Sequence, residues 1–171
     1  MIEIKHKETG AVLWREDAGE PLVDADLRDA DLASLTRSDL YNLGDYVLAG
    51  IHLEGALLPE GVPVVPCLDA RILAELEKPR HALNMDVWHG DGARCNTTHC
   101  RAGWAIHLAG EAGYSLEWHY GPELAGALIY AASDPTEPIP NFHCSRAEAV
   151  RDLRRRAGRD QKTQAEREEQ P

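Results

Sequence analysis

The chain has 171 residues, of which 43% are hydrophobic, and its formal net charge at pH 7 is −11. This length provides one ordinary hydrophobic core or two small ones, and no run of about 18 apolar residues is present to span a bilayer. The first residues, Met-Ile-Glu-Ile-Lys, lack the apolar centre of a signal peptide, so we expect a cytoplasmic protein with reduced cysteines.

The negative charge is concentrated at the start of the chain. Residues 1–60 contain 13 Asp and Glu against 5 Lys and Arg, whereas residues 61–171 contain 16 against 13. A surface of this sign repels phosphate backbones, which disfavours direct nucleic-acid binding by the first half. Such a surface instead suits attraction of a partner protein that itself binds nucleic acid. The alternative is that the acidic surface only keeps the protein in solution.

Two short strands are predicted at the N-terminus. Apolar residues from Ile2 to Trp14 flank the turn sequence Glu8-Thr9-Gly10, which is typical of a β-hairpin. We expect this hairpin, within residues 1–19, to cover one open end of the structure that follows.

A five-residue repeat occupies residues 20–60. The segment divides into eight pentads, with Leu40 as one extra residue. A period of five fits neither a helix nor a plain strand, so it indicates a solenoid in which the chain turns regularly. The third pentad position is occupied by Leu22, Leu27, Leu32, Arg37, Leu43, Leu48, Leu53 and Leu58.

The segment ADLRDADLAS resembles the pentapeptide-repeat family, whose consensus is Ala-(Asp/Asn)-Leu-x-x. The resemblance implies a right-handed four-sided β-helix with the central leucines inside, and with Tyr41, Tyr46 and Ile51 also pointing inward. The predicted fold class is therefore α+β: a short right-handed quadrilateral β-helix of about two coils with a hairpin cap, followed by a small α-helical domain.

The same resemblance implies a function. Some pentapeptide-repeat proteins resemble a DNA duplex in shape and charge and inhibit gyrase. In the wider form of this idea, the chain is a phage, prophage or bacterial accessory protein that engages or inhibits a host nucleic-acid-binding protein. The partner-binding residues would be Asp24, Asp26, Asp29, Asp31, Asp39 and Asp45.

The second half is predicted to be helical, with a linker at 61–67, a helical domain at 68–157 and a frayed or disordered tail at 158–171. Apolar spacing predicts helices at 68–77, from His99 to about Ala109, at 123–132 and around Leu153. Thr97 or Thr98 is the expected cap of the second helix. The arginine cluster from Arg151 to Arg159 is interpreted as a solvated helix face, with contact to nucleic acid or an acidic partner as the alternative. The four tryptophans are interpreted as core or inter-domain anchors.

The stretch CNTTHCRAGW, residues 95–104, resembles a Cys-Gly-Thr-x-x-Cys-x-Ala-Gly-Trp motif of an uncharacterised helical domain in bacteria and their phages. The resemblance implies a shared fold and brings no activity with it. One interpretation of the stretch is a packed helix start with buried cysteines. A second interpretation is zinc binding, since cysteine and histidine are its usual ligands. The candidate ligands are Cys95, Cys100, His89, His99, His143 and Cys144.

A third interpretation is a cysteine-dependent enzyme. Cys100 lies near a predicted helix N-terminus, where the dipole favours thiolate, and His119 or His143 is the candidate base. A non-catalytic protein-binding role, with no cofactor unless zinc is bound, is the function that we expect from the sequence as a whole.

Overall fold

The computed structural model describes the backbone of residues 1–90 and 97–168 and the side chains up to Arg159 within those ranges. None of the helices in this described part combines the length and apolar character needed to cross a bilayer. In chain order, the elements are β1 (Glu3–Lys5), β2 (Val12–Arg15), a 3-10 turn (Glu16–Ala18), α1 (Arg37–Leu43), α2 (Leu68–Leu76), β3 (Ala82–Leu83), β4 (Thr98–His99), α3 (Arg101–Leu108), α4 (Gly110–Ser133) and α5 (Arg146–Glu168).

The predicted N-terminal hairpin is confirmed. Strands β1 and β2 pair antiparallel, and Gly10 turns the chain between them with a φ of +67°. The hairpin continues onto the repeat segment, because the Asp31 amide donates to the Lys5 carbonyl at 2.7 Å and the Lys7 amide donates to the Asp29 carbonyl at 2.8 Å. It therefore lies along one edge of that segment.

The predicted quadrilateral β-helix is wrong. Two stretches of the repeat pair in parallel with an offset of 25 residues, through bonds such as Leu27 N to His52 O and Leu32 N to Leu57 O, each 2.9 Å. These contacts stay isolated bridges, at Asp26–His52 and Asp31–Leu57. The structure is about 42% helical and 12% strand, and its described residues form no closed or coiled sheet.

Helix α1 interrupts the repeat where its frame breaks. The Thr36 hydroxyl accepts from the Asp39 amide and the Asp39 carboxylate accepts from the Thr36 amide, which is a capping box that begins a helix. A helix rises about 1.5 Å per residue, so these residues cannot form an extended side of a coil. The extra Leu40 is buried on this helix, whereas Tyr41, which was predicted to point inward, is exposed.

The repeat leucines pack against a helix instead of an opposite coil wall. Their cluster is closed by Leu124 and Ala127 of α4 and by Ile139, which pairs with the repeat through the Gly50 amide at 2.8 Å. The buried members at the third pentad position are Leu22, Leu27, Leu32, Leu43, Leu48 and Leu53. One apolar core therefore runs from the hairpin to α5.

The helices of the second half agree with the sequence prediction in number but not in their bounds. The predicted Thr97 or Thr98 cap is wrong, because Thr98 lies in β4 and Cys100 is the N-cap of α3. Helix α4 begins 13 residues before its predicted start and is broken at Gly121, where φ is +79°. The tail predicted at 158–171 begins inside α5, and its last three residues lie outside the described part of the chain.

Arg101 connects the four long helices. Its guanidinium donates to Asp69 of α2 at 2.7 Å and to Asp152 of α5 at 2.6 Å. Its Nε donates to the Tyr130 hydroxyl of α4 at 2.8 Å, and that hydroxyl donates to Asp69 at 2.8 Å. Arg101 is 1% exposed, and its buried charge is compensated by hydrogen-bond partners on three neighbouring helices.

Replacing Arg101 is expected to destabilise the fold severely. In the Arg101→Met variant, Asp69 stays buried without its cation, which costs about 3–5 kcal/mol in the free energy of unfolding. Urea denaturation followed by circular dichroism measures the loss. The exposed Arg71→Met variant on α2 is the control, with an expected change within about 0.5 kcal/mol. Equal midpoints for the two variants would contradict the assignment.

Stability is expected to fall in acid because of Asp152. Burial opposes ionisation of Asp152, but the Arg101 hydrogen bond and the charges of Arg101 and Arg156 lower its pKa to about 2. The contribution is complete above the ordinary pKa of about 4 and is lost as pH falls from about 4 towards 2. Thermal unfolding between these values should show a steeper decline for the wild-type protein than for Asp152→Asn. If the stability of the two proteins declines equally with falling pH, the explanation is wrong.

Candidate binding groove

An open groove of about 620 Å³ lies between α1 and residues 110–120 of α4. Residues 111, 114, 115 and 118 share one helix face, because they are spaced by three and four positions. Tyr41 of α1 also lines the groove, and the other lining residues belong to α4. We call this the aromatic groove, lined by Tyr41, Glu111, Tyr114, Ser115, Glu117, Trp118 and Gly121.

The large aromatic side chains of the groove are open to solvent. Trp118 is 84% exposed and Tyr41 is 57% exposed. Aromatic residues dominate the binding energy of protein interfaces, so their exposure in a concave site indicates a binding surface. The interpretation of all four tryptophans as packed anchors is therefore wrong for Trp118, although Trp14 and Trp104 are buried.

Two histidines contact polar side chains that line the groove. The Nε2 of His89 lies 2.8 Å from the Glu117 carboxylate, and the Nδ1 of His89 lies 2.7 Å from the Nδ1 of His99. The Nδ1 of His107 lies 2.9 Å from the Tyr114 hydroxyl. Because each bond fixes a side chain that lines the groove, Glu117 and Tyr114 are preorganised. His99 and His107 come from the CNTTHCRAGW stretch and the helix that it starts.

The lining chemistry favours a cation. Glu111 and Glu117 supply carboxylates, Tyr41, Tyr114 and Trp118 supply aromatic faces, and the groove lining contains no Lys or Arg. A guanidinium or ammonium group is attracted both by ring faces and by carboxylates.

The predicted zinc ligands are divided between two places. His89 and His99 face each other, whereas His143 bonds to Glu123 at 2.9 Å and the Cys144 thiol donates to the Asn141 carbonyl at 3.1 Å. Within residues 1–90 and 97–159, no three His, Cys, Asp or Glu side chains are arranged to hold a metal ion. The zinc prediction also named Cys95, which lies outside the described residues.

Two of the predicted catalytic residues line one small cavity. Cys100 and His143 border a space of about 180 Å³ together with Trp88, whereas His119 is absent from that lining and lies beside Tyr120. Cys100 is 1% exposed, and burial raises the pKa of its thiol to about 11, although the Gly103 amide donates to its sulfur at 3.4 Å. The thiol is therefore not activated as a nucleophile at neutral pH.

The six predicted partner-binding aspartates differ in their surroundings. Asp26 pairs with Arg28 at 2.8 Å, and Asp29 pairs with Lys7 at 2.8 Å. Asp39 caps α1, and the Asp31 carboxylate accepts from the Ser34 amide at 3.0 Å. Asp24 and Asp45 are exposed. Four of the six thus stabilise local structure, and partner binding by the set stays a prediction.

Comparisons with known protein families, with curated proteins and with solved structures found no match. The resemblances to pentapeptide repeats and to the bacterial and phage motif therefore stay predictions. The functional proposal below is therefore based on the geometry of the aromatic groove.

Cys100 is expected to be alkylated slowly in the folded protein. At pH near 7 its raised pKa leaves almost no thiolate, and its burial excludes the reagent. Iodoacetamide labelling followed by peptide mass spectrometry should modify the less buried Cys144 before Cys100. Labelling in urea provides the unfolded reference rate. Preferential labelling of native Cys100 would instead support the cysteine-enzyme interpretation.

Proposed function

We propose that this chain is a non-catalytic protein-binding module that takes a basic segment of its partner into the aromatic groove. The observation that carries the proposal is Trp118, which is 84% exposed beside Glu111 and Glu117 in a concave site. In protein interfaces, binding energy is concentrated at aromatic side chains that become buried on binding and are surrounded by polar groups.

The net charge of the chain also supports a partner with a basic surface. Nucleic-acid-binding proteins expose clustered Lys and Arg, and the net charge of −11 attracts such a surface over the range of a Debye length, about 8–10 Å. The partner that we propose is therefore a host protein with a basic nucleic-acid-binding surface. In this scheme the exposed Asp24 and Asp45 contribute long-range attraction rather than the contact itself.

The aromatic groove and the wider acidic surface make separable contributions to the affinity for the partner. Surface charge accelerates encounter and is screened by salt, whereas contacts in a packed aromatic site slow dissociation. Each cation–π contact contributes about 0.5–2 kcal/mol, so one basic side chain in the groove gives weak binding. A segment with several basic residues is the better ligand, since neighbouring carboxylates add to the contact.

A short arginine-rich peptide is expected to bind the groove. Fluorescence anisotropy of a labelled Arg-Gly repeat peptide measures its affinity, and a Glu-Gly peptide of equal length gives the background. Trp118→Ala should weaken binding by about 2- to 30-fold, the equivalent of one cation–π contact. Glu111→Gln should weaken it by a similar factor at low salt.

Matched controls separate the groove from general charge. Val64→Ala removes an exposed apolar side chain elsewhere, and Glu60→Gln removes one exposed carboxylate elsewhere. Neither is expected to change affinity beyond about twofold. If Trp118→Ala binds the peptide like the wild-type protein, attraction is only electrostatic and the proposed groove function is wrong.

A further inference from the structure

A second open surface lies on α5. Arg146, Ala147, Val150, Arg151 and Arg154 border a shallow space of about 470 Å³. Arg146 and Val150 are four positions apart, and Ala147, Val150, Arg151 and Arg154 are related by spacings of three and four, which places all five along one helix face. We call Arg146, Arg151 and Arg154 the arginine strip. It is a basic surface on a chain whose net charge is −11.

The arginine strip differs from the neighbouring arginines of α5. Arg155 pairs with Glu137 at 2.8 Å, Arg156 pairs with Asp152 at 2.9 Å, and Arg159 pairs with Asp134. By contrast, no carboxylate among the described side chains lies within ion-pair distance of Arg151 or Arg154, and both are exposed. Their guanidinium groups are therefore available to another molecule.

We infer that the arginine strip of one copy of this chain binds in the aromatic groove of a second copy. The inference rests on the proposed function, because the strip of a second copy enters the same groove that takes the basic segment of the host partner, and the two ligands therefore compete. Charge complementarity carries it: the groove offers Glu111, Glu117 and ring faces, and the strip offers guanidinium groups without ion-pair partners.

The dimensions of the two surfaces agree. Glu111 and Trp118 are seven residues apart in α4, which is about 10 Å along a helix, and Arg146 and Arg154 are eight residues apart, about 12 Å. The groove lies between α1 and α4, whereas α5 packs on α2, so the surfaces belong to different parts of one copy. Two helix faces can then meet, with arginines on one and carboxylates and rings on the other.

Because the contacting surfaces differ, each copy keeps one vacant groove and one vacant strip after its first contact. These either join reciprocally in a two-fold dimer or continue into open chains or a closed ring. The contact should also weaken with salt, since it joins exposed opposite charges. These properties define the experiment.

Two complementary variants test the inference. Glu111→Arg combined with Trp118→Ala breaks the groove, and Arg151→Glu combined with Arg154→Glu breaks the strip. All four positions are solvent-exposed, and circular dichroism confirms folding. In sedimentation velocity at low salt, the wild-type mass should rise with concentration, and each variant alone should associate at least about tenfold more weakly. An equimolar mixture should form a 1:1 dimer and nothing larger, because only one groove and one strip remain.

Arg71→Glu on α2 is the matched charge reversal, and it should associate like the wild-type protein, whereas Arg154→Glu should not. A wild-type mass that is independent of concentration overturns the inference, as does undiminished association of the strip variant. The arginine peptide keeps this result separate from the proposed function. Peptide binding by a protein that stays monomeric overturns only the self-association, whereas loss of both overturns the groove itself.

Discussion

The buried guanidinium of Arg101 is the interaction around which the second half is arranged. It is bound by Asp69, Tyr130 and Asp152, which come from α2, α4 and α5. A desolvated charge tolerates little displacement of its partners, so this network fixes the relative positions of the helices as apolar packing alone does not. Arg101 is the first residue of α3, and Cys100 caps that helix. His99, directly before the cap, reaches the groove through His89, which contacts Glu117, and His107 of α3 reaches it through Tyr114.

Residues 97–104 of the CNTTHCRAGW stretch have a structural role at the start of α3. Cys100 caps α3 through its sulfur, and a Cβ on Gly103 would come within 1.9 Å of the Trp88 carbonyl oxygen. Glycine therefore lets the loop that carries Trp88 and His89 lie directly on α3. That close approach brings His89 to Glu117. The motif thus acts as a support for one wall of the groove, and the role of Cys95 in it lies outside the described residues.

The sequence predicted the elements whose signals are local. The spacing of Leu68, Ile72 and Leu76 indicated α2, and Glu8-Thr9-Gly10 indicated the hairpin. The β-helix failed because a period of five places leucines inside without specifying what covers them, and here α4 covers them. The groove was missed for a related reason. Apolar spacing placed this helix at 123–132, whereas α4 begins at Gly110, so the shared face of residues 111–118 was not predicted.

Charge is used differently in the two halves of the chain. In the second half, three of the six described arginines on α5 are matched by carboxylates of Asp134, Glu137 and Asp152, so the charge of these three serves internal structure. In the first half, 13 carboxylates stand against 5 basic residues, so an acidic excess remains after local ion pairs such as Asp26–Arg28 and Asp29–Lys7. The field of this excess is not selective, because any basic surface responds to it. Selectivity has to come from groups that act at contact distance, and Trp118 and Tyr41 are exposed where those contacts can form. Under the proposed function, the acidic surface and the aromatic groove are complementary: the charge excess would raise the encounter rate, and the exposed rings would select the cation at contact distance.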